Sequence, residues 1–359
     1  MRTIDWVDGA VEIIDQTALP GRLTVLRLTT VEELVEAIQR LAVRGAPALG
    51  VAGALGVALA ARRQCGDPAV AVRLLETARP TAVNLARGAR RAAARLPDGA
   101  DAVLAEALAV RDEEIEASAA MATRGADLLA ELCGARPRLL THCNTGALAT
   151  VVGGTALGAV LELHRREALG GVVASETRPL LQGARLTAWE LSRAGVAFRV
   201  AVDGAGPFLM ARGEIDGVVL GADRICANGD TVNKIGSYAH ALGAQRAGIP
   251  FVVVAPESTV DLATPGGADV EIEDRGADEV LSFGWPAAPG GPRAASGGPR
   301  AAPGEWPAAR GDCADAGGLA GAPGTAGAVN PAFDVTPHDL VTAIVTERRV
   351  IRLDRGERV

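Results

Sequence analysis

Residues 171–202, GVVASETRPLLQGARLTAWELSRAGVAFRVAV, decide the fold class of this chain of 359 residues. Apolar segments at 171–175 and 197–202 have the length and composition of β-strands, and residues 181–193 between them have a helical pattern. A strand, a helix and another strand in this order predict two parallel strands joined by a crossover helix.

The same pattern continues on both sides of this stretch. Strands are predicted at 138–142, 217–221 and 250–255, and helices are predicted up to about residue 164, at 207–212 and at 234–247. Strands that alternate with helices predict a doubly wound sheet. The fold class is therefore α/β, with a Rossmann-like parallel-sheet C-terminal domain.

The first 132 residues differ from this pattern. Alternating apolar and polar residues at 6–14 and 23–29 predict short strands of a small antiparallel sheet. Thr30, followed three residues later by Glu33, predicts the capped start of a helix, and the remainder up to Leu132 is Ala-rich and helical in pattern. We predict a mostly helical N-terminal domain at 1–132 and the Rossmann-like domain at 133–359.

Residues 284–328 break the domain pattern. They are dense in Gly, Pro and Ala and contain the near-repeat GGPRAA at 290–295 and 297–302. Such a segment buries too little apolar surface to offset its ordering entropy, so we expect a disordered insert. After it, Thr336 and Pro337 predict the N-cap and first position of a helix to about residue 347.

Composition excludes several classes of protein. The net charge of −7 argues against a nucleic-acid binder, and no apolar run approaches the ~20 residues of a membrane span. The first residues have no apolar core of a signal peptide. Five scattered cysteines without a CxxC pair fit a reducing cytoplasm and argue against a disulfide framework or a zinc site.

Polar side chains follow the predicted strands, where ligands bind in open parallel sheets. Cys143 lies after the strand at 138–142 and before a predicted helix start, which would favour the thiolate; the alternative is a small buried hydrophobe. Asp223 follows a buried strand, and burial would raise its pKa towards neutrality, as proton transfer requires. The alternative for Asp223 is a turn aspartate or a partner of Arg224.

Several further residues are candidates for binding an anion or a sugar. Lys234 is the single lysine among 36 basic residues, and a compact ammonium does not exchange freely with a guanidinium at a tight site; chance is the other reading. Gly45 follows Arg44 and precedes Ala46 at the start of an apolar helix; it would let a ligand approach the backbone, and the amides beyond it could cradle an anion. Solvent-exposed charges and ordinary polar helix residues are the alternatives for these and for two further candidates, Arg79 and Gln182. The sequence contains neither a Walker loop nor a GxGxxG motif after a strand, so no motif supports nucleotide binding.

Taken together, these motifs resemble the methylthioribose-1-phosphate isomerase family, whose members act in methionine salvage. The matching stretches, in order along the chain, are 44–50, 79–85, 141–146, 176–187, 221–236 and 330–337. The resemblance implies conversion of 5-methylthioribose 1-phosphate to 5-methylthioribulose 1-phosphate without a metal or nucleotide cofactor, by a homodimer. It implies that Cys143 and Asp223 are catalytic. The substrate-binding positions it implies are Arg44, Gly45, Ala46, Arg79, Gln182, Asn233 and Lys234.

The implied chemistry leaves alternatives open. Asp223 would assist ring opening, and Cys143 would move a proton from C2 to C1 through a cis-enediol; a direct hydride shift is the competing mechanism. The substrate could instead be 5-deoxyribose 1-phosphate or ribose 1,5-bisphosphate, and a non-catalytic regulatory subunit of the same fold is a further alternative. The insert at 284–328 departs from the family pattern, and we expect it to loop out.

Overall fold

The computed structural model describes residues 2–63, 67–79, 82–281 and 328–359. The predicted disordered insert at 284–328 lies outside these described residues, apart from Ala328. Within the described ranges, no helix is both long enough and apolar enough to cross a membrane.

The N-terminal part is a small antiparallel sheet covered by helices, as predicted. Strands β1 (Ile4–Val7), β2 (Ala10–Ile14) and β3 (Val25–Leu28) pair in this order. The helices are α1 (Val31–Gln39), α2 (Ala46–Arg63), α3 (Pro68–Ala78), α4 (Val83–Ala93) and α5 (Ala100–Cys133). The predicted capping box at the start of α1 is present, with the Thr30 side chain accepting from the Glu33 amide.

Helix α2 is the centre of the N-terminal core, since almost all of its residues up to Leu59 are buried. It packs closely on α4, where a Cβ at Gly88 would overlap the carbonyl of Gly50. Helix α5 contributes to two cores: Val103 and Ala107 pack in the N-terminal core, whereas Met121 packs against the large sheet. The domain boundary at 132/133 therefore stays a prediction.

The C-terminal part is built on a seven-stranded sheet. Its strands in spatial order are β6 (Phe198–Ala201), β5 (Gly171–Ser175), β4 (Arg138–Thr141), β7 (Gly217–Leu220), β10 (Phe251–Val254), β13 (Ala343–Val345) and β14 (Val350–Ile351). The first six are parallel, and β14 adds an antiparallel edge. Counted along the chain from β4, the parallel order is 3-2-1-4-5-6, that of doubly wound α/β folds. This confirms the predicted fold class.

Helices cover both faces of this sheet. They are α6 (Ala156–Arg165), α7 (Ala188–Arg193), α8 (Ala205–Ala211) and α9 (Ser237–Ala247), and a short α10 (Asp278–Leu281) follows later in the chain. Successive strand residues point to opposite faces, so Leu139 packs in one apolar cluster and Leu140 in the other. The order of the strands reverses between β4 and β7, and a ligand crevice is expected at their carboxyl ends.

A four-stranded sheet that was not predicted lies beside the large one. Its order is β11 (Val260–Asp261), β8 (Arg224–Cys226), β9 (Thr231–Lys234) and β12 (Phe333–Thr336). The prediction of a helix from residue 234 is wrong for its first residues, because Lys234 ends β9. Pairing on both sides of β9 holds the extended chain, and α9 begins only after Gly236, whose φ of +106° breaks the strand.

The predicted helix from Thr336 to about residue 347 is also wrong. Thr336 ends β12, a 3-10 turn follows at His338–Leu340, and β13 takes the apolar residues after it. A short apolar run has the same composition in a buried strand as in a buried helix, and burial of Ile344 inside the sheet decides for the strand.

Candidate active site

A single cavity at the carboxyl ends of β4 and β7 brings the predicted site together. It lies where the start of α2 meets the large sheet and β9. All nine residues that the sequence predicted line it: Arg44, Gly45, Ala46, Arg79, Cys143, Gln182, Asp223, Asn233 and Lys234. Residues up to 190 positions apart in the chain are thereby neighbours, as expected at a switch point of a parallel sheet.

Cys143 sits in a strained turn directly after β4. Its φ of +61° is unusual for a residue with a side chain, and such strain tends to be kept at functional sites. The backbone amide of Cys143 donates to Thr177 Oγ1 at 2.9 Å, and its carbonyl accepts from Thr187 Oγ1 at 2.6 Å. These two hydrogen bonds fix the backbone of the turn, and the Cys143 side chain lines the cavity.

The helix predicted directly after Cys143 is absent at that point. Only a 3-10 turn at Ala147–Ala149 follows, and α6 begins at Ala156. The thiol is therefore not at the N-terminus of an α-helix, and its electrostatic partner is a side chain. Arg44 Nη1 lies 4.0 Å from Cys143 Sγ.

Arg44 is buried and held by several acceptors. Its Nε donates to Gln16 Oε1 at 3.0 Å, and both terminal nitrogens donate to the carbonyl of Asn144 at 3.1 Å. Nη2 also contacts the side-chain oxygen of Asn144. This arrangement fixes the guanidinium beside the thiol instead of leaving it free in solvent.

Glu190 supports this arrangement from α7, and the sequence did not single it out. Its carboxylate accepts from Asn144 Nδ2 and from the amide of Ala147, both at 2.7 Å. Burial raises the pKa of Glu190, and these hydrogen bonds oppose the shift. A glutamate in a helix ordinarily indicates a solvated face, so the sequence carried no signal for this residue.

Gly45 has a different structural role from the one expected. The sequence predicted that it lets a ligand approach the backbone. In the structure its φ is +97°, and the space of a Cβ is occupied by Ala149. Gly45 therefore lets the loop before α2 touch the loop after Cys143, while its contact with substrate stays a prediction.

Asp223 is a half-buried acid just after β7. Burial raises the pKa of its carboxyl group, and the nearby charges of Lys234, Arg79 and Arg44 oppose that shift. Arg224, the alternative partner, instead pairs with Asp261 at 3.2 Å. A carboxyl group with a raised pKa in a cation-lined cavity suits proton transfer near neutral pH.

Lys234 faces Asp223 from the end of β9, and 7% of it is exposed. Its Nζ donates to the carbonyl of Ala332 at 2.7 Å and lies 4.9 Å from the centre of the Phe333 ring. Burial lowers the pKa of Lys234, while the charges of Cys143 and Asp223 act against the shift.

Two further arginines complete the cationic lining. Arg79 is 3.9 Å from Glu273, and burial lowers its pKa. Arg275 lines the cavity and pairs with Glu279 at 2.6 Å. The sequence did not predict Arg275 as a site residue.

Gln182 and Asn233 supply uncharged polar groups. Asn233 Nδ2 donates to Ser237 Oγ at 2.8 Å. Gln182 Oε1 is buried without a hydrogen-bond partner among the described residues. A buried, unpaired carbonyl oxygen is costly, and a hydroxyl group of a bound ligand would satisfy it.

The fold and the cavity together define a class of protein, in which a helical part closes a polar, cation-lined site at the switch point of a parallel sheet. Residues 42–352 match the Initiation factor 2 subunit family, and the chain belongs to this family.

Relatives and solved structures agree over nearly the full chain. A methylthioribose-1-phosphate isomerase of Anaeromyxobacter sp. (strain K) is 51% identical, covering 95% of this chain and 91% of the relative. A 5-deoxyribose 1-phosphate isomerase of Moorella thermoacetica is 46% identical, covering 97% of this chain and 93% of the relative. A probable bifunctional methylthioribose-1-phosphate isomerase/methylthioribulose-1-phosphate dehydratase of Nocardia farcinica is 48% identical over 98% of this chain, which spans only 60% of that relative.

Two solved structures are similar to this chain. The 5-methylthioribose 1-phosphate isomerase of Pyrococcus horikoshii OT3 has a TM-score of 0.81 and 36% identity, covering 98% of this chain and 92% of that one. The translation initiation factor eIF-2B subunit delta of A. fulgidus has a TM-score of 0.76 and 38% identity, covering 98% of this chain and 96% of that one. Both kinds of protein in this family therefore share the fold.

Proposed function

We propose that this chain is an aldose–ketose isomerase that converts 5-methylthioribose 1-phosphate to 5-methylthioribulose 1-phosphate in methionine salvage, without a metal or nucleotide cofactor. One observation carries the proposal: the thiol of Cys143 and the carboxyl group of Asp223 line one cavity with the cations Arg44, Arg79 and Lys234. A non-catalytic regulatory subunit has no use for such a pair. The names of the related isomerases support the same reaction.

The proposed mechanism uses two proton carriers. Protonated Asp223 gives its proton to the ring oxygen while the bond from that oxygen to C1 breaks. Cys143, as thiolate, takes the proton from C2, and a double bond forms between C1 and C2. The Cys143 thiol exchanges its proton with solvent and then gives a proton to C1, and Asp223 takes the proton of the C2 hydroxyl, which becomes the ketone. Both residues finish in their starting states, so no co-reactant is needed.

The phosphate needs a fixed positive environment. The half-buried Arg79 and the buried Lys234 are cations of the cavity lining, and the positive end of α2 faces the cavity at Ala46. Arg44 adds charge from its fixed position beside Cys143. Gln182 Oε1 would accept a hydrogen bond from a sugar hydroxyl group.

The group at C5 of the sugar determines which phosphate is preferred. Leu41, Leu180 and Phe333 add apolar surface to the cavity, which suits a methylthio group better than a second phosphate. A methyl group also fits apolar walls, and the relative from Moorella is named for 5-deoxyribose 1-phosphate. We retain that sugar as the second candidate substrate.

The reaction itself is tested by incubating the purified chain with 5-methylthioribose 1-phosphate and following the ketose product by ¹³C NMR. We expect a C2 ketone resonance to appear with multiple turnovers. Heat-denatured protein is the control. Absence of the ketone over a range of pH would refute the proposed activity.

Replacement of Lys234 by Arg is expected to raise KM about tenfold or more. The ammonium fits between the Ala332 carbonyl and the Phe333 ring, and a flat, longer guanidinium does not. Steady-state kinetics measure the effect. Arg212→Lys, which changes an exposed arginine paired with Glu214, is the matched control and should leave KM and kcat unchanged. Unchanged kinetics of Lys234→Arg would mean that the lone lysine is a chance occurrence.

Deletion of residues 284–328 is expected to leave kcat/KM within about a factor of two. The flanks of the insert are already joined, because Asp274 bridges to Pro331 and the Asn330 side chain donates to the Gly276 carbonyl at 3.0 Å. Closing a shorter loop between joined ends costs little. A large loss of activity in the deletion variant would show that the insert contributes to the site.

We also propose that the protein is a cytoplasmic homodimer that does not bind nucleic acid or membranes. Strand β6 is an edge of the large sheet, and apolar side chains stand exposed on β6, directly after it, and on helices α8 and α9. These are Val200, Val202, Phe208, Tyr238 and Leu242.

Phe208→Asp is the test of this dimer face. Phe208 is 61% exposed, and a charge there would oppose burial in an interface. Sedimentation velocity is expected to show a dimer for the unmodified chain and a monomer for the variant, whereas the exposed control Arg246→Ala stays dimeric. A dimer that persists in Phe208→Asp would place the interface elsewhere.

A further inference from the structure

The residues that follow the insert form a strap along β9. The strap, residues 330–336, includes β12, whose antiparallel register places Phe333 opposite Lys234. The carbonyl of Ala332 accepts two hydrogen bonds, from Lys234 Nζ at 2.7 Å and from the amide of Ile235 at 3.2 Å. The strap therefore holds both the side chain and the backbone at the end of β9.

Phe333 gives the lysine a second contact. Its ring centre is 4.9 Å from Lys234 Nζ, within the range in which a ring face attracts a cation. Phe333 also lines the cavity. A lysine side chain has a flexible stem of four carbons, so a hydrogen bond to a single carbonyl does not fix the direction of the ammonium group. A carbonyl and an aromatic ring together do fix it.

Asp334 fixes the chain that follows Lys234. Its Oδ2 accepts from the amides of Gly236 at 2.7 Å and Tyr238 at 3.1 Å. These amides belong to the turn between β9 and α9, where a helix start leaves unpaired N–H groups. The carboxylate of the strap therefore anchors the turn, and the ammonium is placed from a rigid base.

We propose that Phe333 is a positioning residue for Lys234, and that the strap holds the ammonium charged and directed into the cavity for the phosphate of the substrate. The part that concerns the phosphate rests on the proposed function; the positioning of the ammonium does not. Loss of the ring removes an attraction that exists only for the cation. The neutral amine then becomes relatively more favourable, and the side chain gains freedom.

The composition of the chain makes this measurable. Because Lys234 is the single lysine, protein labelled with ¹³C at lysine Cε gives one side-chain resonance, whose pH titration reports Lys234 without assignment. The titration is compared in the unmodified chain, in Phe333→Leu, in Phe333→Tyr, which keeps a ring, and in Val335→Ala, a change in the same strand. Phe333→Met takes the place of the Leu variant if that variant does not fold.

We expect the midpoint of the titration to move to lower pH in Phe333→Leu and to stay in place in Phe333→Tyr and Val335→Ala. With 5-methylthioribose 1-phosphate, KM should rise about tenfold in Phe333→Leu with little change in kcat, as loss of a desolvated cation–ring contact implies. Equal titrations of the unmodified chain and Phe333→Leu, or a Tyr variant that behaves like Leu, would overturn the proposal. If the titration moves but no variant or unmodified chain turns over the sugar, the positioning stands and the proposed function fails.

Discussion

Asp223→Asn is expected to lower kcat by a factor of about 10²–10⁴, the usual contribution of a positioned general acid–base group. The amide keeps the shape of the side chain but can neither give a proton to the ring oxygen nor take one from the C2 hydroxyl. Asp261→Asn is the matched control, since it changes an acid that pairs with Arg224 outside the cavity. Full turnover by Asp223→Asn would contradict the acid–base scheme.

The same residue predicts the direction of a pH effect. The proposed cycle begins with Asp223 protonated, and burial raises the pKa of this group so that the acid form persists to higher pH than in an ordinary aspartate. As pH rises through that pKa, the proton is lost and kcat/KM should fall. The alkaline limb of the profile should be absent from the residual activity of Asp223→Asn. If the alkaline limb is unchanged in the variant, it reports the titration of another group.

The second large effect is expected for Cys143→Ser, which should lower kcat by about 10²–10⁴. A serine hydroxyl group fits the same turn but is a far weaker acid than a thiol, so it does not carry the C2 proton. Cys133→Ser is the control: this half-buried thiol ends α5, where burial raises its pKa to about 12, and it lies outside the cavity. The kcat of Cys143→Ser should therefore be lower than that of Cys133→Ser by about 10²–10⁴.

The isotope content of the product separates the two possible mechanisms. In the proton-transfer scheme Cys143 exchanges with solvent, so turnover in D₂O should place deuterium at C1 of the ketose. A direct hydride shift carries the original hydrogen from C2 to C1 and leaves C1 free of solvent deuterium. Mass spectrometry of the product in D₂O decides between them, and an unlabelled product would reduce Cys143 to a residue that shapes the cavity.

The parallel sheet and the predicted site could be read from the sequence for the same physical reason. Buried parallel strands are short apolar runs, and the residues that follow them meet at one edge, so Cys143 and Asp223 were expected to be close. The resemblance to the family added Asn233, for which periodicity alone has no signal. All of these residues line the cavity that the structure shows.

The parts that were missed depend on contacts between distant segments. The strand that carries Lys234 is stabilised by β12, whose residues lie 99–105 positions beyond their partners in the chain, after the insert. Local pattern favoured a helix at both places. Glu190 and Arg275 were missed because a charged residue on a helix or in an acidic segment looks solvated until its buried partners are known.

The central claim is that this cavity isomerises a sugar 1-phosphate with an apolar group at C5. Its most direct test is kcat/KM measured side by side for 5-methylthioribose 1-phosphate, 5-deoxyribose 1-phosphate and ribose 1,5-bisphosphate. We expect the methylthio sugar to be preferred, with 5-deoxyribose 1-phosphate within about 10–200-fold, since a few apolar atoms discriminate only this far, and the bisphosphate the poorest. Preference for the bisphosphate, or no turnover of any of the three, would contradict the account.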